Sequence, residues 1–245
     1  MAKTSTEMRK SGGLTLILLV HVVFCDPILS SDLATNSEPM NHFYYLSGED
    51  QKKLEEQSKN GDGTAAFRLA RYFEFYISDI NNALPWLRRA EELGHVEAAL
   101  PLAYYYCHSV QPPCYKTAFE VYQKWAKRGN ADAMIAVGEM LEGGQGIPKD
   151  RAEAMKWYEK AARAGKVFTM EKLSSKLLED GNVFEAYIWA EVGSLRRKRV
   201  GPEKIKQRDL AELAKRLSAE QLEQSKERAA KLDKEIPFIE PWMSW

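Results

Sequence analysis

The groups in this sequence that are able to do chemistry are few, and their spacing speaks against catalysis. There are only four histidines, one of them inside an apolar run near the start, so a nucleophile–base triad is hard to build. The sequence holds no H-E-x-x-H, no G-x-S-x-G and no glycine loop ending in G-K-[ST]. A β-lactam-type serine site needs S-x-x-K followed by K-T-G, and Lys116-Thr117-Ala118 is not that motif. Cys107 and Cys114 flank His108, but three such groups are too few for a closed zinc site. The most site-like stretch is Gly143-Gly144-Gln145-Gly146-Ile147-Pro148, close in sequence to Trp157 and Tyr158. Without the lysine that reaches a terminal phosphate it is no phosphate cradle. The expectation is therefore a protein with no catalytic, cofactor or metal site.

That glycine stretch makes sense once the elements around it are read. Before it, Ala133, Met134, Val137, Gly138 and Leu141 share one helical face, which predicts a helix over Ala131–Glu142. Glycine permits positive φ and Pro148 fixes φ, so no helix runs through the loop. Asp150 is placed to cap a second helix that carries Ala154, Trp157, Tyr158, Ala161 and Ala162 on one face. Gly165 stands where a helix C-terminus favours a left-handed residue. The unit recurs. Gly61, Gly94, Gly129 and Gly165 lie 33, 35 and 36 residues apart. Nine residues after each comes a small residue, Ala70, Ala103, Gly138 and Ser174, and twelve after comes Phe73, Tyr106, Leu141 and Leu177. Alanine precedes the closing glycine by eleven residues at Ala83, Ala118 and Ala154. A period near 34 with paired helices is the pattern of a solenoid of helical hairpins.

The run from Gly144 to Gly165, with Gly146, Pro148, Asp150, Ala154, Trp157, Tyr158, Lys160, Ala161 and Ala162 in register, resembles the SEL-one-like repeat, a relative of the tetratricopeptide repeat. The likeness extends over about residues 60–232. The first unit departs from it, with Ile77–Asn82 in place of the glycine loop, and the second has Cys107–Cys114 there. The resemblance implies an all-α fold: a right-handed superhelical solenoid of helical hairpins with helical caps. Some cysteine-rich members of the family have been credited with penicillin binding or β-lactamase activity; the missing serine–lysine motif makes that the least favoured function here. Exported members include immunity proteins that neutralise secreted phospholipase toxins delivered by type VI systems, and the resemblance implies a role of that kind, by occlusion. An envelope scaffold for signalling or cell-wall machinery is the alternative.

The N-terminus reads as an address. Lys3, Arg9 and Lys10 precede Leu14–Phe24, an eleven-residue apolar run that is too short for a membrane span of about 20 residues and suits a secretory signal. Cleavage near Cys25, lipidation of Cys25 or an uncleaved anchor are the three outcomes, and Phe24 departs from the small residue a lipoprotein signal wants. All three place the repeats outside the cytoplasm, in the periplasm or on the periplasmic face of a Gram-negative envelope. The membrane would then be touched only through the N-terminal lipid or anchor. Export favours a disulfide between Cys107 and Cys114, with two buried free thiols as the alternative. The formal net charge of +0 gives no global field for nucleic acid, and the repeat resemblance implies a protein partner.

The expected organisation is a signal over 1–25, a linker over 26–46, a capping helix over 47–60, the solenoid over 61–199, capping helices over 200–235 and an aromatic tail over 236–245. Within the linker, the aromatic His42–Leu46 is expected to seat against the first repeat. Ser47 with Asp50, and Ser218 with Gln221, predict capping boxes. Glu203–Leu217 is predicted as a helix. Trp86, Trp125, Trp157 and Trp189 are expected to pack between hairpins. The basic run Arg196–Arg199 either meets an acidic partner or complements a helix C-terminus. In helical solenoids the first helices line the concave face. Offsets 7 and 11 from each unit glycine are expected to point into it, which nominates Arg68, Tyr72, Tyr105, Met140, Lys172 and Lys176 as partner-binding residues. An ordinary solvated face is the competing reading of the same set.

Overall fold

The computed structural model describes residues 43–200 and 207–237. Among them every regular element is helical: α1 Gly48–Lys59, α2 Gly63–Arg71, α3 Ile80–Glu92, α4 Val96–His108, α5 Tyr115–Lys127, α6 Ala131–Gly143, α7 Arg151–Arg163, α8 Val167–Glu179, α9 Val183–Val200, α10 Gln207–Ala214 and α11 Ala219–Glu235. From α1 to α10 each helix packs on its sequence neighbour, and α11 then folds back across α9. This is the all-α solenoid that the repeat spacing implied: four hairpins, α2–α3, α4–α5, α6–α7 and α8–α9, between helical caps.

Local chemistry sets the helix ends. Asp150 accepts from the amide of Glu153 at 2.9 Å and starts α7, while Gly165, at φ +95°, ends the unit. Both predicted capping boxes form, at Ser47 and at Ser218. Gly138 has a different task. A methyl group on it would stand 2.6 Å from the Tyr158 ring, so the missing side chain is what lets α7 close onto α6. In this hairpin the small residue thus sets the distance between the paired helices.

One continuous apolar core runs from Ala66 to Ile236 and takes in Trp125, Trp157 and Trp189, with the half-buried Trp86 against it. Each such ring removes about 150–250 Å² from water, worth several kcal/mol at about 25 cal/mol per Å². Trp125 also donates its indole N–H to Glu91 at 2.7 Å, tying α5 to the preceding hairpin.

Three features differ from the expectations. Cys107 and Cys114 are free thiols. The loop they bracket is closed by the backbone instead, the Cys114 amide donating to the Tyr106 carbonyl at 2.8 Å. Cys107 faces the core, and burial pushes its thiol up to about 11. Second, α10 ends at Ala214, three residues before Leu217. Leu217 instead precedes the Ser218 cap and joins Leu222 on the same apolar cluster, a hydrophobic staple that requires the helix to have stopped.

Third, two arginines of the basic run at the end of α9 are engaged inside the molecule, with α11. Arg196 is 1% exposed. Its guanidinium lies 3.1 Å from Asp233 and donates to the carbonyls of Asp233 at 3.0 Å, Ile236 at 2.5 Å and Pro237 at 2.8 Å. Burial lowers its pKa, and the Asp233 carboxylate offsets part of that. Arg199 also pairs with Asp233, and Arg197 with Glu171 of α8. Arg196 and Arg199 together clamp α11 onto α9. The expected signal, Cys25 and the aromatic residues from Phe238 onward lie outside the described residues.

Candidate partner-binding surface

The six nominated groove residues do not form one open face. Tyr72 and Met140 are buried, 8% and 4% exposed, and belong to the core. The reason is helical geometry. Offset 11 lies seven residues after offset 4, about 20° short of two full turns, so Met140 shares the buried face of Ala133. Tyr72, seven residues after Ala65, likewise turns inward against Leu46, Leu54 and Leu69, at the point where α2 widens into a π turn over Tyr72–Tyr76. Tyr105 is half-buried and donates its hydroxyl to Glu74; burial first, and then that carboxylate, push its pKa up.

Lys172 and Lys176 reach back from α8 to α6. Lys172 pairs with Glu139 and lies 4.8 Å over the Tyr158 ring. Lys176 stands 2.9 Å from Glu142, which also accepts from the Tyr158 hydroxyl at 3.1 Å and pairs with Arg151 at 3.2 Å. Burial alone would raise the Glu142 carboxyl, but the Lys176 and Tyr158 hydrogen bonds outweigh it and hold the group below its ordinary value. These residues tie successive first helices together. Arg68 is the one member of the set that is exposed, where it lines a shallow cleft with Asp50, Lys53 and Gln57. Its register resembles that of Lys172, but its neighbour is the cap helix α1.

A surface that the groove register did not select lies at the loop end of the first hairpin. Among the described residues six large apolar side chains are exposed, and four of them, Phe43, Tyr45, Tyr76 and Ile77, belong to the lead-in segment and to this loop. The lead-in segment alternates: Tyr44 stacks on Phe75 at 4.9 Å and Leu46 enters the core, whereas Phe43 and Tyr45 are exposed. Tyr45 meets Tyr76 edge-on at 5.2 Å, and Tyr76 stacks on Tyr72 at 5.5 Å. Arg71, buried and paired with Glu74, sits beneath with its guanidinium 4.0 Å over Phe75. The expected seating of the aromatic segment on the first repeat is thus met by Tyr44 and Leu46. The alternation of faces was the available signal for the rest. Among the described residues no group of three or more His, Cys, Asp or Glu could hold a metal ion, and no helix is long and apolar enough to cross a membrane.

Stacked antiparallel helical hairpins with shared cores, pinned together by inter-hairpin ion pairs, define a helical-repeat scaffold of the kind that mediates protein–protein interaction. The family is that of the Sel1 repeat: residues 63–95, 96–130 and 131–166 match it, so the first three hairpins are Sel1 repeats, and α8–α9 adds a fourth hairpin in the same arrangement. Sel1 repeats generally mediate protein–protein contacts.

Among similar proteins, chitin synthase regulatory factor 3 of Schizosaccharomyces pombe is 28% identical over 145 residues, 55% of this chain and 16% of that one. The chain thus spans about a sixth of this curated relative. A Sel1 repeat protein from Oxalobacter formigenes is 30% identical, covering 52% of this chain and 98% of that one, with a TM-score of 0.45. A protective antigen of uropathogenic Escherichia coli strains, described as displaying an SLR fold, is 19% identical, covering 80% of this chain and 52% of that one, also at a TM-score of 0.45.

Proposed function

We propose that this chain is a non-enzymatic protein-binding scaffold exported to a Gram-negative cell envelope, and that it acts there as an immunity protein that neutralises a secreted phospholipase toxin by covering it. The observation that carries the binding role is the exposure of Phe43, Tyr45, Tyr76 and Ile77, four of the six large apolar side chains exposed among the described residues, in the lead-in segment and the loop of the first hairpin. Exposed aromatic groups are what protein interfaces use as anchors. The basic head and apolar run at Lys3–Phe24 support export, and the resemblance to exported immunity proteins supports the toxin. The test is survival of susceptible cells attacked by a neighbour that delivers a phospholipase encoded beside this gene, with and without the protein. Protection is expected, and equal survival overturns the immunity role.

A second reading is regulation of wall-building machinery, favoured by the name of the 28% identical relative, a chitin synthase regulatory factor. Recovery of a resident wall-synthesis enzyme in place of a toxin from crosslinked envelopes distinguishes the two.

A further inference from the structure

The three junctions between successive hairpins are not alike. Between the first and second, Tyr105 donates to Glu74, and Glu91 accepts from Trp125 and pairs with Lys124 at 2.6 Å. Between the third and fourth, Lys166 pairs with Asp132 at 2.9 Å, Lys176 with Glu142 at 2.9 Å, and Lys172 with Glu139. Among the described residues no side-chain hydrogen bond or ion pair joins α4 and α5 of the second hairpin to α6 and α7 of the third. Register gives the reason. Glu74 and Glu142 stand thirteen residues after their unit glycines, and Tyr105 and Lys176 eleven after theirs. In the middle junction these places hold Cys107 and Met140, both buried.

The same substitution leaves a tyrosine uncovered. Tyr122 and Tyr158 share one register, seven residues before the closing glycine. Tyr158 is 0% exposed: its hydroxyl donates to Glu142 at 3.1 Å, and the Lys172 ammonium lies 4.8 Å over its ring. Tyr122 has neither neighbour. Cys107 stands at the register of Glu142, and Ala136, partly exposed, at that of Lys172. Tyr122 is 9% exposed, and its hydroxyl has no hydrogen-bond partner among the described residues. Burial first, then the nearby Cys107, Glu139 and Tyr104, push its pKa up. Helices α4 and α6 contain no lysine or arginine, so neither can put a cation over this ring.

We propose that the gap over Tyr122, between α4 and α6, is a docking subsite for one lysine or arginine side chain of a partner protein, which takes over this ring the place that Lys172 takes over Tyr158. This rests on the reading of the chain as a protein-binding scaffold and adds a second contact to it. The selection comes from the ring and not from a free carboxylate, since Glu139 is already paired with Lys172. A cation over a ring face gains roughly two- to thirtyfold in affinity over a neutral group of the same shape. An anion meets the negative ring face and is disfavoured.

The probe is the blocked peptide Ser-Ala-Arg-Ala-Ser, titrated into the full chain and followed by NMR at the Ala136 methyl group and the tyrosine rings. The controls replace its arginine by citrulline, which keeps the shape and removes the charge, by leucine and by glutamate. A saturable shift of the Ala136 methyl and the Tyr122 ring is expected, with arginine at least about fivefold tighter than citrulline. Ala136→Lys supplies the side chain from within and should abolish the shift of the Tyr122 ring. Tyr122→Leu, which installs the residue that Leu87 places at this register in the first hairpin, should weaken binding about as much as citrulline does. Circular dichroism and melting verify that both variants fold. No saturation by about 20 mM peptide, equal binding of the citrulline or leucine peptide, or unchanged arginine binding in either folded variant overturns the proposal. Arginine binding without toxin protection would remove the immunity role and leave this site standing; protection without arginine binding would do the reverse.

Discussion

Replacing Arg196 by methionine tests how the far end of the solenoid is held. Methionine keeps the apolar length and removes the charge and every donor. The variant loses the ion pair to Asp233 and the bonds to the carbonyls of Asp233, Ile236 and Pro237. Removing one partner of a buried pair costs about 3–5 kcal/mol, largely through the charge left behind. Asp233, 5% exposed, keeps Arg199, and the carbonyls of Ile236 and Pro237 can turn to water if the segment lifts. The lower part of that range, about 3–4 kcal/mol, is the expectation. In a repeat array each unit is stabilised mainly by its neighbours, so the loss falls on α11 and its seat. Hydrogen exchange read by mass spectrometry should therefore quicken about a hundred- to a thousandfold in residues 219–235 and stay unchanged in α4–α7. Adding Asp233→Asn should recover part of the loss, because in Arg196→Met the buried carboxylate is left to the half-exposed Arg199. An Arg196→Met protein within about 1 kcal/mol of the parent, or one whose exchange rises evenly along the chain, would refute the clamp.

Three further outcomes follow from the same structure. Gly138→Ala should destabilise by about 1–3 kcal/mol in chemical denaturation, since its methyl group meets the Tyr158 ring at 2.6 Å; neutral or stabilising behaviour would show that α7 moves freely. Glu142 is held below its ordinary value of 4.5, so its contribution is present above that pH and lost as pH falls through the lower folded value; carbon-detected titration should show the depressed midpoint, which returns toward normal in Lys176→Met. A thiol reagent at neutral pH should modify Cys114 well before Cys107, because Cys107 is buried with its thiol pushed up to about 11; peptide mapping after timed alkylation reads the order, and the reverse order would contradict the burial.

The repeat was legible because its marks are local. A glycine at the end of a unit, an aspartate or serine at a helix start and an apolar stripe every three to four residues act within a few residues of themselves, as at Asp150, Gly165 and Ser218. The registered columns then carried the fold. The groove was misread where a single angle decides. Offset 11 shares the face of offset 4, so Tyr72 and Met140 went inside, and a polar residue at that register, Lys176, spends its charge on the neighbouring hairpin.

By itself the sequence determined that this is an all-helical array of Sel1-type hairpins with capped ends, because periodicity and caps are properties of short stretches. Only the tertiary structure decided what the unusual residues do. Arg196 reads as one cation in a basic run until Asp233 and three carbonyls, 37 to 41 residues away, close around it. Tyr45 and Tyr76, 31 residues apart, become a surface only when the first hairpin brings them to 5.2 Å. Burial, pairing and exposure depend on which distant groups share the same space, and the spacing of residues along a chain does not carry that information.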